Sequence, residues 1–379
     1  MKKILTIIVC IALVAVLAAC AAPQTSPSAP APTTATTAPT TAPTAAAAQK
    51  VIGYYKDAAD DYYKAGFEVF KALAEEKGWK VIDVVGGGTA PEQITAIENF
   101  ITQKVDAIVC VQNSPNTTSE CLKKCNDAKI PYFALTHNPP NEPGLAGFSG
   151  FDWVTDGKVA GQSAIAHGVK KAIIIEGKLG QGTAGGQTNG FLSAYKEAGK
   201  DIGNLLESVG TVGGGKDLQV VFWGSGGWFA DPSYKAMQDA IAKLGKDGWD
   251  GAYVENDEMM TGALNAIKDA GLNPGDYWLG ASNGKEKSWD WVADGVTTMD
   301  VNQCPTLEAD VCFQQISALF EGKTYPKAIF VALFPFEKAT AAKETKIPWI
   351  LNDYMTKRKA GAFKYDMNDP SMRVNPDYK

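Results

Sequence analysis

The chain has 379 residues, 45% of them hydrophobic, with 36 Lys plus Arg against 42 Asp plus Glu for a net charge of -6. That is apolar material for about two compact units, and the acidic balance supplies no basic field to hold a phosphate backbone, so nucleic acid is not an expected partner. The two histidines, His137 and His167, and the lack of Cys-x-x-Cys or His-x-x-x-His spacing argue against most catalytic zinc and Ser-His-Asp sites. Neither a metal nor a cofactor is expected.

Lys2 and Lys3 precede an apolar run from Ile4 to Val16, the charged and hydrophobic regions of an export signal, too short for a comfortable membrane span. The signal ends in Leu17-Ala18-Ala19-Cys20, which resembles the lipobox of bacterial lipoproteins. The resemblance implies cleavage before Cys20 and lipidation of its thiol, and hence an extracytoplasmic protein held on the bacterial cell membrane by that anchor. Residues 21–49 contain no charge and are dominated by Ala, Pro, Thr and Ser, so nothing in them drives burial and they read as an extended tether.

From Val51 the pattern alternates. Val51 to Tyr55 reads as a buried strand, and Phe67, Phe70, Leu73 and Ala74 then recur at helical spacing. Strands at 80–85, 106–111 and 130–135 alternate with helices around Ile94 to Ile101 and through Leu122, and a loop follows. The alternation resumes with a helix at 158–166, strand 172–175, helix 188–198, strand 218–223, helix 234–244, strand 251–254 and helix 258–270. Strands near 277–281 and 296–301, a helix at 307–320 and a strand near 329–333 complete it. This rhythm predicts βαβ units and two α/β domains. The glycine runs 86–88, 180–186 and 213–215 lack the spacing of a phosphate loop and read as turns. Of the cysteines beyond Cys20, Cys304 and Cys312 are close enough in sequence for a local disulfide, while Cys110, Cys121 and Cys125 leave an odd number; buried free thiols are the alternative.

Three segments carry a resemblance. Glu255-Asn256-Asp257-Glu258-Met259-Met260-Thr261-Gly262-Ala263 follows a predicted strand, Tyr62-Tyr63 follows the first strand, and Asp152 precedes Gly157-Lys158-Val159-Ala160-Gly161. In this order they resemble the periplasmic sugar-binding proteins of the ribose-binding type. The resemblance implies two doubly wound, Rossmann-like domains joined by a three-strand hinge crossing near Phe151, Gln303 and Leu333. The first lobe would comprise 50–151 plus 304–333 and the second 152–303 plus 334–379, with the last forty-odd residues covering the second. It also implies an importer's solute-binding component, a monomer working with an ABC permease and performing no chemistry. A sensory receptor presenting bound sugar to a chemoreceptor or kinase is the second reading. A surface glycosidase, the third, would need a carboxylate pair for which only Asp60 and Asp257 offer themselves.

A sugar has apolar C–H faces and hydroxyl edges, so its site needs aromatic plates and planar donors and acceptors. Tyr62 or Tyr63, where the resembled family has an aromatic pair, and Trp228, where it has a stacking Phe, are the candidate plates that the resemblance implies. Asp60, Gln112, His137, Asn256, Asn283 and Gln303 fall just beyond strand ends or at hinge crossings, where open α/β sheets bind ligands; Asp257 adjoins them and Phe151 marks the first crossing. A local alternative makes Asn256 and Asp257 mere helix caps. Relatives of the ribose type carry charged residues where this chain has Thr136-His137, Gly185 and Asn283. The departure implies a more neutral pocket and a small neutral sugar or polyol. His137, taken as an ordinary imidazole, should alter its hydrogen bonding below about pH 6.

Overall fold

The computed structural model describes residues 48–137, 139 and 143–374, so Cys20 and the proposed tether up to residue 47 lie outside it. The first half runs β1 (Val51–Lys56), α1 (Asp61–Glu76), β2 (Lys80–Val85), α2 (Ala90–Thr102), β3 (Ala107–Val111), α3 (Pro115–Ala128), β4 (Tyr132–Thr136) and β5 (Gly147–Gly150). Then come α4 (Trp153–Ala166), β6 (Lys171–Glu176), α5 (Gly182–Glu197), β7 (Gly213–Gly214), β8 (Gln219–Ser225), α6 (Ala230–Leu244), β9 (Gly251–Val254), α7 (Asp257–Asp269), β10 (Trp278–Gly280), α8 (Glu286–Asp294) and β11 (Met299–Asn302). The chain ends with α9 (Pro305–Phe320), β12 (Ala328–Phe330), β13 (Phe334–Glu337), α10 (Leu351–Lys359) and β14 (Arg373–Val374).

Two sheets result, in the orders β14-β12-β5-β4-β3-β1-β2 and β13-β11-β10-β9-β6-β8-β7. Each is parallel apart from edge strands β14, β13 and β7. Central strands such as β3 and β4 are buried at every residue, the apolar continuity expected of parallel strands covered on both faces by helices. The Gly157 to Gly161 segment has a packing reason. A Cβ on Gly157 would lie 1.9 Å from the Gln187 carbonyl oxygen, so glycine is what lets α4 and α5 cross at backbone contact.

Several expectations are corrected. Residues 147–150, read as loop, form β5, because Gly147 and Gly150 give no apolar alternation yet sit where Phe133 and Phe148 rings fill the space of a side chain. The glycine run 180–186 is a turn only to Gln181; α5 starts at Gly182, before the predicted start. Cys304 and Cys312 are buried free thiols, as are Cys110, Cys121 and Cys125.

The lobes are joined by four connections rather than three. The chain crosses between the sheets after β5, after β11 and after β12, then returns after β13 to the first lobe. Only β13 and the turn after it join the second sheet; Ile347, Trp349, Tyr354, Phe363 and Met372 belong to the apolar core of the first lobe, and β14 pairs with β12. The C-terminal segment therefore covers the first lobe, not the second. Its anchor is the carboxylate of Asp310 on α9, fully buried, which accepts from Tyr354 Oη at 2.8 Å and from two guanidinium nitrogens of Arg358. That partnership spans more than forty residues and has no local signature.

Candidate functional site

The carboxyl ends of the parallel strands in both sheets converge on a cavity of about 260 Å³ between the lobes. The first lobe lends Asp60, Tyr62 and Tyr63 after β1 and Thr136 and His137 at the end of β4. The second lends Trp153, Thr183, Gln187, Trp228, Asn256, Asn283 and Lys285, and Gln303 enters from the second crossing. Trp349 comes from the returning C-terminal segment.

The first-lobe wall is tightly wired. Asp60 caps α1 by accepting from the Tyr63 amide at 2.8 Å, which turns both tyrosines into place. Tyr62 donates to Glu308 Oε2 at 3.1 Å and Thr136 donates to its other oxygen. His137 lies between the Tyr63 hydroxyl, 3.0 Å from Nε2, and Thr183 Oγ1 of the second lobe at Nδ1. Each hydroxyl can donate or accept, so a neutral imidazole satisfies both by donating at one ring nitrogen and accepting at the other.

The second-lobe wall is held by buried acids. Gln187 gives its amide protons to Asp156 Oδ2 at 2.6 Å and to the Glu255 carbonyl at 3.1 Å, an arrangement that leaves Oε1 as its free end. Glu255 accepts from the Gly177 amide at 2.7 Å and from Thr188 at 2.8 Å. Asn256 caps α7 through the Met259 amide at 2.7 Å and donates to the Trp228 carbonyl at 3.3 Å. It is both cap and cavity wall, and it pins the backbone that carries the aromatic plate. The half-buried Trp228 ring lies where a Cβ on Gly177 would sit, 2.2 Å from its carbons, so glycine there makes room for the indole. Its Nε1 donates to Gln181 Oε1 at 2.6 Å.

Backbone strain is gathered at this cavity. Thr136, Trp228 and Asn283 have φ of 69°, 77° and 114°, a region that side chains with a Cβ seldom occupy. Each such residue costs about 1–3 kcal/mol, and such strain collects where function fixes a side chain's direction.

Burial also sets the charge. It raises Asp60 to about 7 against the relief of the Tyr63 amide, raises Asp156 to about 7, and drives Glu255 well above the carboxylate range, with Glu176 adding to the rise. Asp257 is raised to about 6 and shares a hydrogen bond with Asp300, which is pushed higher still by burial and by Asp257. His137 falls to about 4 through burial and then the nearby Lys178 ammonium. Lys285 is paired with Asp61 of the other lobe at 2.7 Å. Acid groups are thus numerous at the cavity, but burial and pairing mute their charge. Gln187 Oε1, both ends of the Gln303 amide and Trp349 Nε1 are buried and find no hydrogen-bond partner among the described residues.

Residues 54–324 match the family model described as a periplasmic binding protein domain. The chain belongs to the periplasmic binding protein family. The galactofuranose-binding protein of Escherichia coli is 24% identical over 307 residues, spanning 79% of this chain and 91% of the relative. The ribose import binding protein of Bacillus subtilis is 23% identical over 265 residues, 69% of this chain and 78% of the relative. Among solved structures, a galactofuranose binding protein superposes with a TM-score of 0.69 at 21% identity, covering 83% of this chain and 100% of the other. An ABC transporter solute binding protein from Bacillus halodurans with bound myo-inositol gives 0.69 at 18% identity, covering 79% and 98%. These likenesses establish the two-lobe fold of this periplasmic binding protein.

Of the residues read from sequence, Asp60, Tyr62, Tyr63, His137, Trp228, Asn256, Asp257, Asn283 and Gln303 line the cavity together. Gln112 and Phe151 do not. Gln112 is buried behind the wall, donating to the His137 carbonyl, so it positions that residue. Phe151 is in the first lobe's core, edge-on to Trp153 at 5.7 Å. His137 is no ordinary imidazole, and the expected change below pH 6 gives way to one near 4, because partial burial and then the nearby Lys178 ammonium disfavour its charged form. Thr183 lies in the glycine run that reads as a turn and Gln187 directly follows it, while Glu255 stands in the quoted motif without being read as wall. Trp153, Lys285 and Trp349 carried no local signal.

Proposed function

We propose that this protein is the extracytoplasmic solute-binding component of an ABC importer, capturing a small neutral sugar or polyol by closure of its two lobes. The observation that carries the reading is the wall itself: Tyr63 and Trp228 from opposite lobes line one cavity together with Gln187 and Gln303, whose amide oxygens have no hydrogen-bond partner among the described residues. Hydroxyl groups both donate and accept, so they satisfy such atoms; an ionic ligand would need a free opposite charge, and the cavity's one lysine is already paired with Asp61. The names of the galactofuranose and ribose relatives support the same solute class.

Closure follows from the split site. His137 meets Thr183, Lys285 meets Asp61, and Lys178 donates to the Gly88 carbonyl at 2.8 Å, each pair joining one lobe to the other. A solute touching both walls binds the closed arrangement better than the open one and shifts the population toward it. Capture near 1 μM requires about -8 kcal/mol, which two stacking contacts and several hydrogen bonds supply. The closed form would then dock on the permease, with the monomer retained at the membrane through a lipidated Cys20.

The test is a thermal-shift screen of the purified soluble part against neutral monosaccharides and polyols, followed by calorimetry. Binding of at least one compound, with 1:1 stoichiometry and little dependence on salt at pH 8, is the expected result. A preference for anionic solutes would refute the neutral-ligand reading.

A further inference from the structure

The match to the family model ends at residue 324, yet the cavity has a wall member at 349. The chain reaches it through the fourth connection, which is clamped to the second: the Ile347 amide donates to Asn302 Oδ1 at 3.0 Å, and Thr306 donates to the Pro348 carbonyl at 2.8 Å. Beyond it, α10 is fixed to the first lobe by Arg358 and Tyr354 on buried Asp310. Trp349 is therefore held on both sides. Its ring stands edge-on to Tyr62, centroids 5.4 Å apart at 86°, while its amide donates to Glu286 Oε1 of the second lobe at 3.0 Å.

Two features make this more than packing. Trp349 is 6% exposed and its Nε1, a donor that buried tryptophans usually satisfy, has no partner among the described residues. In addition, Trp349, Asp61 and Lys285 line both the cavity and a separate hollow on its outer side, which continues along Lys64, Glu68 and Ile350 to Asn352. The indole and the Asp61–Lys285 pair are the partition between the two spaces.

Resting on the proposed function, we infer that Trp349 is a specificity-determining residue of the binding site: its N–H donates to one hydroxyl of the neutral solute, and its ring stops the solute from extending into the outer hollow. The acceptor is a sugar or polyol oxygen, and the size class is one that ends at the indole. Because the residue touches Tyr62 in one lobe and Glu286 in the other, its contact with solute also favours the closed arrangement.

The experiment uses the mature chain and a panel of neutral monosaccharides, linear polyols and disaccharides, with calorimetric affinities for wild type, Trp349→Phe and Trp349→Ala. Trp349→Phe keeps a ring against Tyr62 and removes the donor; affinity for the wild-type ligand should fall roughly tenfold, the worth of one hydrogen bond in a desolvated site. A deoxy analogue lacking the partnered hydroxyl should bind wild type equally weakly and lose nothing further in Trp349→Phe, a coupling that general damage to the fold does not produce. Trp349→Ala should lose more on the same ligand and narrow the gap between monosaccharides and disaccharides. If wild type binds a panel member and Trp349→Phe binds it within twofold, with no deoxy analogue coupled, the inference is overturned while the proposed function stands. If no member binds wild type, the proposed function falls and takes this inference with it. Should Trp349→Ala fail to fold, the Phe variant and the deoxy series decide alone.

Discussion

Trp228 combines a ligand plate with a left-handed backbone, so two substitutions there should separate binding from stability. Aromatic side chains bury about 150–250 Å², and with the ring already half-buried against Gly177 a stacked solute would cover about 80 Å² more. At about 25 cal/mol per Å² that is about 2 kcal/mol, or roughly a 30-fold loss of affinity in either Trp228→Ala or Trp228→Gly. The two should differ in stability, however, in an order opposite to the usual one. At negative φ alanine stabilises relative to glycine by reducing the freedom of the unfolded chain; at φ 77° the alanine Cβ meets the same obstruction as the tryptophan's, and glycine should be the more stable by about 1 kcal/mol. Urea denaturation of the ligand-free variants measures the second effect and calorimetry with the screened ligand the first. Affinity within threefold of wild type in both variants would remove Trp228 from the site. An alanine variant as stable as the glycine variant would mean that the backbone is not left-handed.

Glu308 is raised by burial to about 8 from 4.5, so its contribution to stability is complete below pH 4.5 and lost as pH rises through 8; Asp60 and Asp156, both raised to about 7, act in the same direction. The urea midpoint should therefore rise from pH 8.5 to pH 6.5, and Glu308→Gln should flatten that slope and exceed wild type at pH 8.5; an unchanged slope refutes the assignment. His137 has the opposite sign: lowered from 6.5 to about 4, it contributes stability present above 6.5 and lost on acidification toward 4, a loss that His137→Gln should reduce in the same titration. Removing the cation that neutralises Asp310 in Arg358→Ala should cost about 3–5 kcal/mol and expose the segment after residue 350 to limited proteolysis; protection equal to wild type would show that the pair does not anchor it. Metabolic labelling with a fatty-acid probe should mark the full-length chain in its host and miss Cys20→Ala, and label retained in the variant would exclude the anchor.

What could be read from sequence followed physical range. Periodicity and the strand-end rule act over a few residues; they pointed to Asp60, and the family resemblance added to them pointed to Tyr63, Trp228 and Asn256. The same rule misplaced Gln112 by one layer, because a residue just past a strand can turn inward to hold its neighbour's carbonyl as easily as outward to a solute. Phe151 marked a crossing, but a crossing built from an aromatic residue buries it. Asp156 and Arg358 depend on partners brought close only by the finished fold, Gln187 and Asp310, so no window of sequence announces them. The neutral pocket was inferred from missing charges; the cavity instead contains many acids whose proton affinity burial has raised, which composition cannot reveal.

The fourth connection has a mechanical consequence. Because β1 and β14 lie in one sheet, both ends of the described chain belong to the first lobe, and the second, inserted in two segments on either side of α9 and β12, carries neither. Tension applied through either of those ends is borne by the first lobe alone, and the second can swing without dragging one of them behind it. Fluorophores attached near Ala48 and Val374, the ends of the described chain, would register nothing when the cleft shuts. A reporter of the motion needs one dye on the inserted lobe, for instance on the exposed side chain of Leu179.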